Sequence, residues 1–174
     1  MVVSKRGDKV GDVLGEIRYS GEFDYEKVYL IIHNWFKKMQ YEVVETYKHK
    51  MTGTGTEVEL GIKANRKTSE FMRYDLEVEL KTWNLVEVEA VIGGKKQKIN
   101  KGRLLITISF NVVLDYSSKF DKSEWNRRLF NLIRFTLWRK KIIILWTGNL
   151  VAEAYGLHTQ IKKALNMETA YSAW

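Results

Sequence analysis

Between residues 40 and 114 the hydrophobic period of this chain is two, and that restricts its fold more than any other feature. Met72, Tyr74, Leu76, Val78 and Leu80 alternate without a break with Arg73, Asp75, Glu77, Glu79 and Lys81. Successive side chains of a strand point to opposite faces, so this run has one face for a core and one for water. Val58, Leu60, Ile62 and Ala64 repeat the pattern, as do Leu104, Ile106, Ile108, Phe110, Val112 and Leu114. Tyr41, Val43, Glu45 and Tyr47 alternate with Glu42, Val44, Thr46 and Lys48, and shorter runs fall at 16–23, 86–88 and 95–99. Turn residues separate these runs: Thr52-Gly53-Thr54-Gly55, positions 65–69, Gly93-Gly94 and Asn100-Lys101-Gly102. Consecutive strands joined by short turns predict one antiparallel sheet of about six to seven strands.

Two stretches switch to the helical period. After Asp24, a suitable N-cap, Val28, Ile31, Ile32, Trp35, Phe36 and Met39 form an apolar stripe, which predicts a helix over 25–39. Residues 121–146, DKSEWNRRLFNLIRFTLWRKKIIILW, are the longest and most basic amphipathic pattern. Asp121 and Glu124 form a capping-box spacing. Trp125, Leu129, Leu132, Ile133 and Thr136 fall on one side of the wheel, the side expected to meet the core. The pattern falters at Lys140, which lands on the apolar side, and Gly148-Asn149 is a candidate break. A last helical stretch runs to about residue 166 with Leu150, Ala154, Leu157, Ile161, Ala164 and Leu165 on its apolar side. Helices segregated from consecutive strands make the fold class α+β, with the helices packed on one face of the sheet. One domain is expected over 16–166, with a loose arm at 1–15 and a tail at 167–174.

This element order resembles the helix-grip architecture of the START and Bet v1-like superfamily over roughly residues 16–165, with the interruption near Lys140 falling where that architecture has a single long helix. The resemblance implies a curved sheet around a C-terminal helix and a cavity between them for an apolar small molecule. Tyr74, Phe110, Trp146 and Tyr155 are the aromatic candidates to line it.

The chain carries 29 Lys+Arg against 21 Asp+Glu, a formal charge of +8, and the excess is uneven. Residues 1–94 hold 14 basic and 16 acidic side chains, whereas 95–174 hold 15 and 5. Such asymmetry points to an anionic partner. There is no cysteine, which excludes disulfides, thiolate metal sites and cysteine nucleophiles. The N-terminal residues contain no apolar signal segment, and the apolar run at 142–146 is too short to span a bilayer. A soluble cytoplasmic protein is the expectation. With no proline, turns must rely on Gly, Asn and Asp.

Chemistry-bearing patterns are sparse. His33, His49 and His158 lack ligand spacing, so no metal is expected. Gly53-Thr54-Gly55 leads into a strand, not the helix a phosphate loop needs. Glu57, Glu59, Asp75, Glu77, Glu79, Glu87 and Glu89 alternate along strands, which puts them in water opposite partners such as Lys63, Arg73 and Lys81. An exposed carboxylate row lacks the contrasting environments that acid–base pairs need. No enzyme and no cofactor are implied.

Arg127, Arg134 and Lys141 recur every seven residues and would line up over about 20 Å of helix, with Arg128 and Arg139 on an adjacent edge and Lys140 as a further candidate phosphate contact. Phe130 and Trp138 lie among these cations. Cations interleaved with aromatics suit a phosphate backbone with unpaired bases, or an anionic membrane surface. A second basic cluster, Lys95, Lys96, Lys98, Lys101 and Arg103, falls on a hairpin. It suits phosphate contacts or protection of a strand edge. Trp83 sits on the charged side of its strand and, with Trp138, is a stacking candidate. The leading expectation is a non-enzymatic protein that binds RNA or a ribonucleoprotein. One rival is the apolar-ligand carrier. The other is an oligomeric protein using Phe130, Leu137, Trp138 and Ile142 as an interface.

Overall fold

The computed structural model describes residues 8–53, 55–70, 72–92, 95–117, 125, 128 and 142–167. Strand β1 (Asp8–Phe23) leads into helix α1 (Tyr25–Lys38), then β2 (Glu42–Thr52), β3 (Gly55–Lys67), β4 (Met72–Ile92) and β5 (Lys95–Leu114). Helix α2 (Ile142–Ala164) follows. The strands form one five-stranded sheet in the order β1-β5-β4-β3-β2, and every neighbouring pair is antiparallel. β1 and β2 are thus the two edges, and the chain crosses from one to the other through α1.

The α+β class and the antiparallel sheet agree with the sequence; the strand number does not. The runs at 72–81 and 86–88 are one strand, and so are those at 95–99 and 104–114. Their alternation is interrupted by a bulge, with a register shift between Trp83 and Val86 and Asn84 at φ 53°. A bulge inverts the face of everything beyond it while leaving the ladder continuous, so a period count reads two strands where there is one. β1 also starts at Asp8, inside the stretch expected as a loose arm, and pairs with β5 up to Leu114. A register shift between Val13 and Gly15 interrupts the alternation of its first half while the backbone pairing with β5 continues. The turn expected at 65–69 lies slightly later, where Thr68 and Ser69 donate backbone N–H bonds to the Met72 carbonyl.

Asp24 caps α1 by accepting from the Lys27 N–H at 2.9 Å. At the other end Gln40 takes the left-handed conformation, φ 58°, and the Tyr41 N–H reaches back to the Phe36 carbonyl. Asn166 closes α2 in the same way, with Met167 donating to Lys162. These are Schellman closures with Gln and Asn where Gly is commoner. Polar residues at positive φ, including Asp115, do much of the work expected of Gly and Pro. α2 runs through Gly148 and Asn149 without a break; both are exposed. Burial of Leu150, Ala154, Leu157 and Ile161 outweighs the ~1 kcal/mol propensity cost of one glycine.

One face of the sheet is the core face. Ile17 and Phe23 of β1, Leu60 and Ile62 of β3, Leu76 to Leu80 of β4 and Leu104 to Val112 of β5 pack there with Val28, Ile32 and Phe36 of α1 and the α2 stripe. Tyr29 of α1 donates to the Glu45 carboxylate of β2 at 3.1 Å, and His33 Nδ1 lies 3.4 Å from it.

Tyr25 begins α1 with its hydroxyl buried and, among the described residues, without a hydrogen-bond partner. Burial, then Tyr47, Tyr29 and Glu45, pushes its pKa up to about 12 from 10.0. A tyrosine kept neutral in the fold contributes stability that is present below pH ~10 and lost as pH rises toward ~12. Tyr25→Phe is therefore expected to flatten the alkaline fall in stability across that window. At neutral pH the change should be neutral or stabilising by about 1 kcal/mol, because an unsatisfied hydroxyl is removed. Urea titrations at pH 7, 10 and 11.5 would check both; an unchanged alkaline slope would refute the assignment.

Candidate nucleic-acid interface

On the outward face of the sheet the charged β4 row of Arg73, Asp75, Glu77, Glu79 and Lys81 lies beside an uncharged β5 row of Val113, Asn111, Ser109, Thr107 and Leu105, and Trp83 ends the β4 row. Two rows build that spot. Ser20 of β1, Arg103 of β5 and Trp83 of β4 stand opposite one another, and the next row is Arg18, Leu105 and Lys81. Together with Tyr19 and Leu104 they border an open depression of about 490 Å³. Trp83 is half-buried in it, and Arg103 is exposed.

The local backbone is arranged to hold the indole. The bulge after Trp83 turns the chain at Asn84, and glycines flank it on both neighbouring strands. A Cβ on Gly102 would lie 3.0 Å from the Trp83 carbonyl oxygen, and one on Gly55 would lie 3.0 Å from the Asn84 carbonyl carbon. Gly55 also sits at φ 142°, which L side chains rarely adopt. Beside them the buried Thr82 hydroxyl accepts from the Val58 N–H at 3.1 Å, replacing a ladder bond where β3 shifts register. Trp83 therefore projects from a closely packed, hydrogen-bonded stretch, which lowers the ordering cost of a stacking contact.

The charges around it are only partly neutralised. Arg18 pairs with Glu16 at 2.7 Å but keeps an 80% exposed side chain. Lys81 pairs with Glu79 at 3.5 Å, and Lys101 with Glu22 at 3.5 Å. Exposed pairs of this kind are worth little and leave the cations open to exchange their partner for phosphate. Arg103 forms no ion pair among the described residues.

The hairpin cluster divides accordingly. Lys95 and Lys96 pair with Ile92 and Val91 at the β4–β5 tip. Lys98 is bridged to Glu87 at 2.8 Å, and hydrogen bonding to that carboxylate raises its pKa. Lys101 and Arg103 lie nearer the Trp83 depression. Of the basic helical stretch, Arg127, Phe130, Arg134, Trp138, Arg139, Lys140 and Lys141 lie outside the described residues. Arg128 and Trp125 are helical and exposed. Trp125, expected to face the core, is 73% exposed. A helical wheel assigns a side to a residue, not a partner to that turn, and Trp125 belongs to the first turn of the expected helix.

The aromatic residues expected to line an internal cavity are differently placed. Tyr74 and Phe110 are packed in the core, whereas Tyr155 is 52% exposed; the Trp146 side chain lies outside the described residues. Of the expected partners, Lys63 pairs across strands, with Glu77 at 3.2 Å, and Glu87 is paired across strands by Lys98 instead. Arg73 and Lys81 bind Asp75 and Glu79 two residues away on their own strand. A long side chain reaches the same-face neighbour along its strand as easily as the one across. Among the described residues no three His, Asp or Glu groups gather as a metal site, and no helix is long and apolar enough to cross a membrane. Burial, then Lys162, lowers the pKa of His158.

Sequence reasoning singled out Trp83 and Arg103 separately and missed Arg18. Only the β1-β5-β4 order brings the three together. No protein-family model matches the chain, and no curated protein matches its sequence.

Proposed function

We propose that this protein binds single-stranded RNA without catalysis, using the outward sheet face around Trp83 as a stacking platform. The observation that carries the reading is a half-buried tryptophan, held by a bulge, with Arg103 opposite it on β5 and Arg18 beyond on β1, all three bordering one depression. Every base has a π-face, so one fixed indole accepts unpaired bases without regard to sequence, while guanidinium groups take the adjoining phosphates. Lys101, the hairpin lysines and the basic stretch carrying Arg127, Arg128, Arg134, Arg139, Lys140 and Lys141 would extend the phosphate track. The charge excess of residues 95–174 supports the same polarity.

Fluorescence anisotropy with a labelled oligouridine, repeated over a salt series, tests this. Trp83→Ala is expected to weaken binding about 5- to 150-fold, the value of one stacked base, with the salt slope unchanged. Arg103→Ala should reduce that slope by about 0.7, one phosphate contact on a single strand. Binding that is unaffected by Trp83→Ala would place the site elsewhere, and no binding at low salt would end the RNA reading.

A further inference from the structure

Among the described residues β2 is an open edge, paired on one side only. It pairs with β3 from Glu42 to Thr52 with no register shift, and none of its residues is buried. Edge strands are normally blunted by bulges, prolines, short length or charged side chains, and of these β2 carries only the charges. Here there is no proline, and Val44, Tyr47 and Met51 are 63%, 61% and 78% exposed.

The charges of the strand are ordered. Glu42 and Glu45 precede Tyr47, and Lys48, His49 and Lys50 follow it. Glu42, Lys48 and Lys50 form no ion pair among the described residues. A strand acidic in one half and basic in the other is complementary to an antiparallel copy of itself. With the two-fold axis at Tyr47, Glu45 falls opposite His49 of the second copy, and Val43 falls opposite Met51. Tyr47 meets Tyr47, and Glu42 lies diagonal to Lys50. Cross-strand pairs of opposite charge and of apolar or aromatic residues are the ones that stabilise sheets. A parallel pairing in register would instead set Lys48 and Lys50 against themselves.

We infer that β2 is a self-association edge: two copies of this chain pair through β2, antiparallel about Tyr47, and join their five-stranded sheets into one. The occupant of the edge is a second copy because the charge pattern is its own complement. The Trp83 depression, two strands away on the outward face, stays open in such a dimer.

Cysteine scanning reads the register directly, since the chain has no other thiol. With copper(II) phenanthroline as oxidant, Tyr47→Cys is expected to form a covalent dimer rapidly. Val44→Cys, equally exposed but facing Lys50, and Met51→Cys, facing Val43, should remain largely monomeric. Equal cross-linking of all three, or none by Tyr47→Cys, would overturn the register. Light scattering of the wild type should give twice the 20.5 kDa chain mass. Lys48→Glu/Lys50→Glu should give a folded monomer with a lower melting temperature, because the dimer is lost and because Glu59 and Glu57 of β3 stand opposite these positions. Adding Glu42→Lys/Glu45→Lys inverts the whole pattern and should restore the dimer. A wild type that is monomeric at high concentration, a ladder of larger species, or an inverted variant that is folded yet monomeric would each refute the inference.

Discussion

Phe36→Ala is expected to lower the unfolding free energy by about 3–5 kcal/mol, the range for deleting a fully buried phenylalanine ring. Phe36 has no exposed surface. Its ring meets Trp35 edge-on at 5.3 Å and Tyr41 at 5.7 Å, so the substitution removes two aromatic contacts as well as buried area. Collapse of the cavity is restricted, because the Tyr41 N–H is tied to the Phe36 carbonyl by the helix closure. Phe36→Leu keeps most of the volume and should cost less than about 1.5 kcal/mol. In urea titrations the midpoint should fall strongly for Ala and slightly for Leu, with the slope unchanged. Equal, small shifts would mean that α1 is not seated on the core as described.

The parts of this fold that can be read from the sequence are those where one face of an element is buried. The β4 run from Met72 to Leu80 and the α1 stripe of Val28, Ile32, Trp35 and Phe36 announce themselves because burial selects the side chains on one face only. Residues 8–15 are silent because the register shift between Val13 and Gly15 interrupts any alternation there. The continuity of β4 is hidden by Asn84, whose left-handed conformation depends on close approach of Gly55 and Gly102 from strands distant in sequence. The candidate site is hidden for the same reason. Arg18 and Arg103 are 85 positions apart in the numbering, and only the placement of β5 between β1 and β4 brings them to Trp83. Local period specifies which residues face water, not which of them meet.

Arg66 and Glu153 join α2 to the sheet, and breaking their contact should unfasten it. Arg66 donates to both Glu153 carboxylate oxygens at 2.8 and 2.9 Å and to the Met39 carbonyl at 3.0 Å. Its guanidinium lies 4.6 Å from the Tyr41 ring centroid, and the Tyr41 hydroxyl donates to the same carboxylate at 3.0 Å. Burial, followed by the Glu153 charge, drives the Tyr41 pKa far above its ordinary value, so this hydroxyl keeps its proton as a donor. One carboxylate on α2 thus satisfies groups from β3 and from the segment after α1. Side chains of both ions are 23% exposed, so the full penalty for breaking a buried pair does not apply. Glu153→Ala is expected to cost about 2–3 kcal/mol, since it leaves a partly buried guanidinium and a buried hydroxyl without their acceptor. Glu153→Gln keeps an acceptor oxygen and should cost about half as much. In the double variant Arg66→Met/Glu153→Leu the summed losses should not appear, because no unpaired charge is left behind. A double-mutant cycle followed by urea unfolding measures that coupling. Strict additivity would mean that the two side chains stabilise the protein independently, and that the packing of Leu150, Ala154, Leu157 and Ile161 alone holds α2 on the sheet.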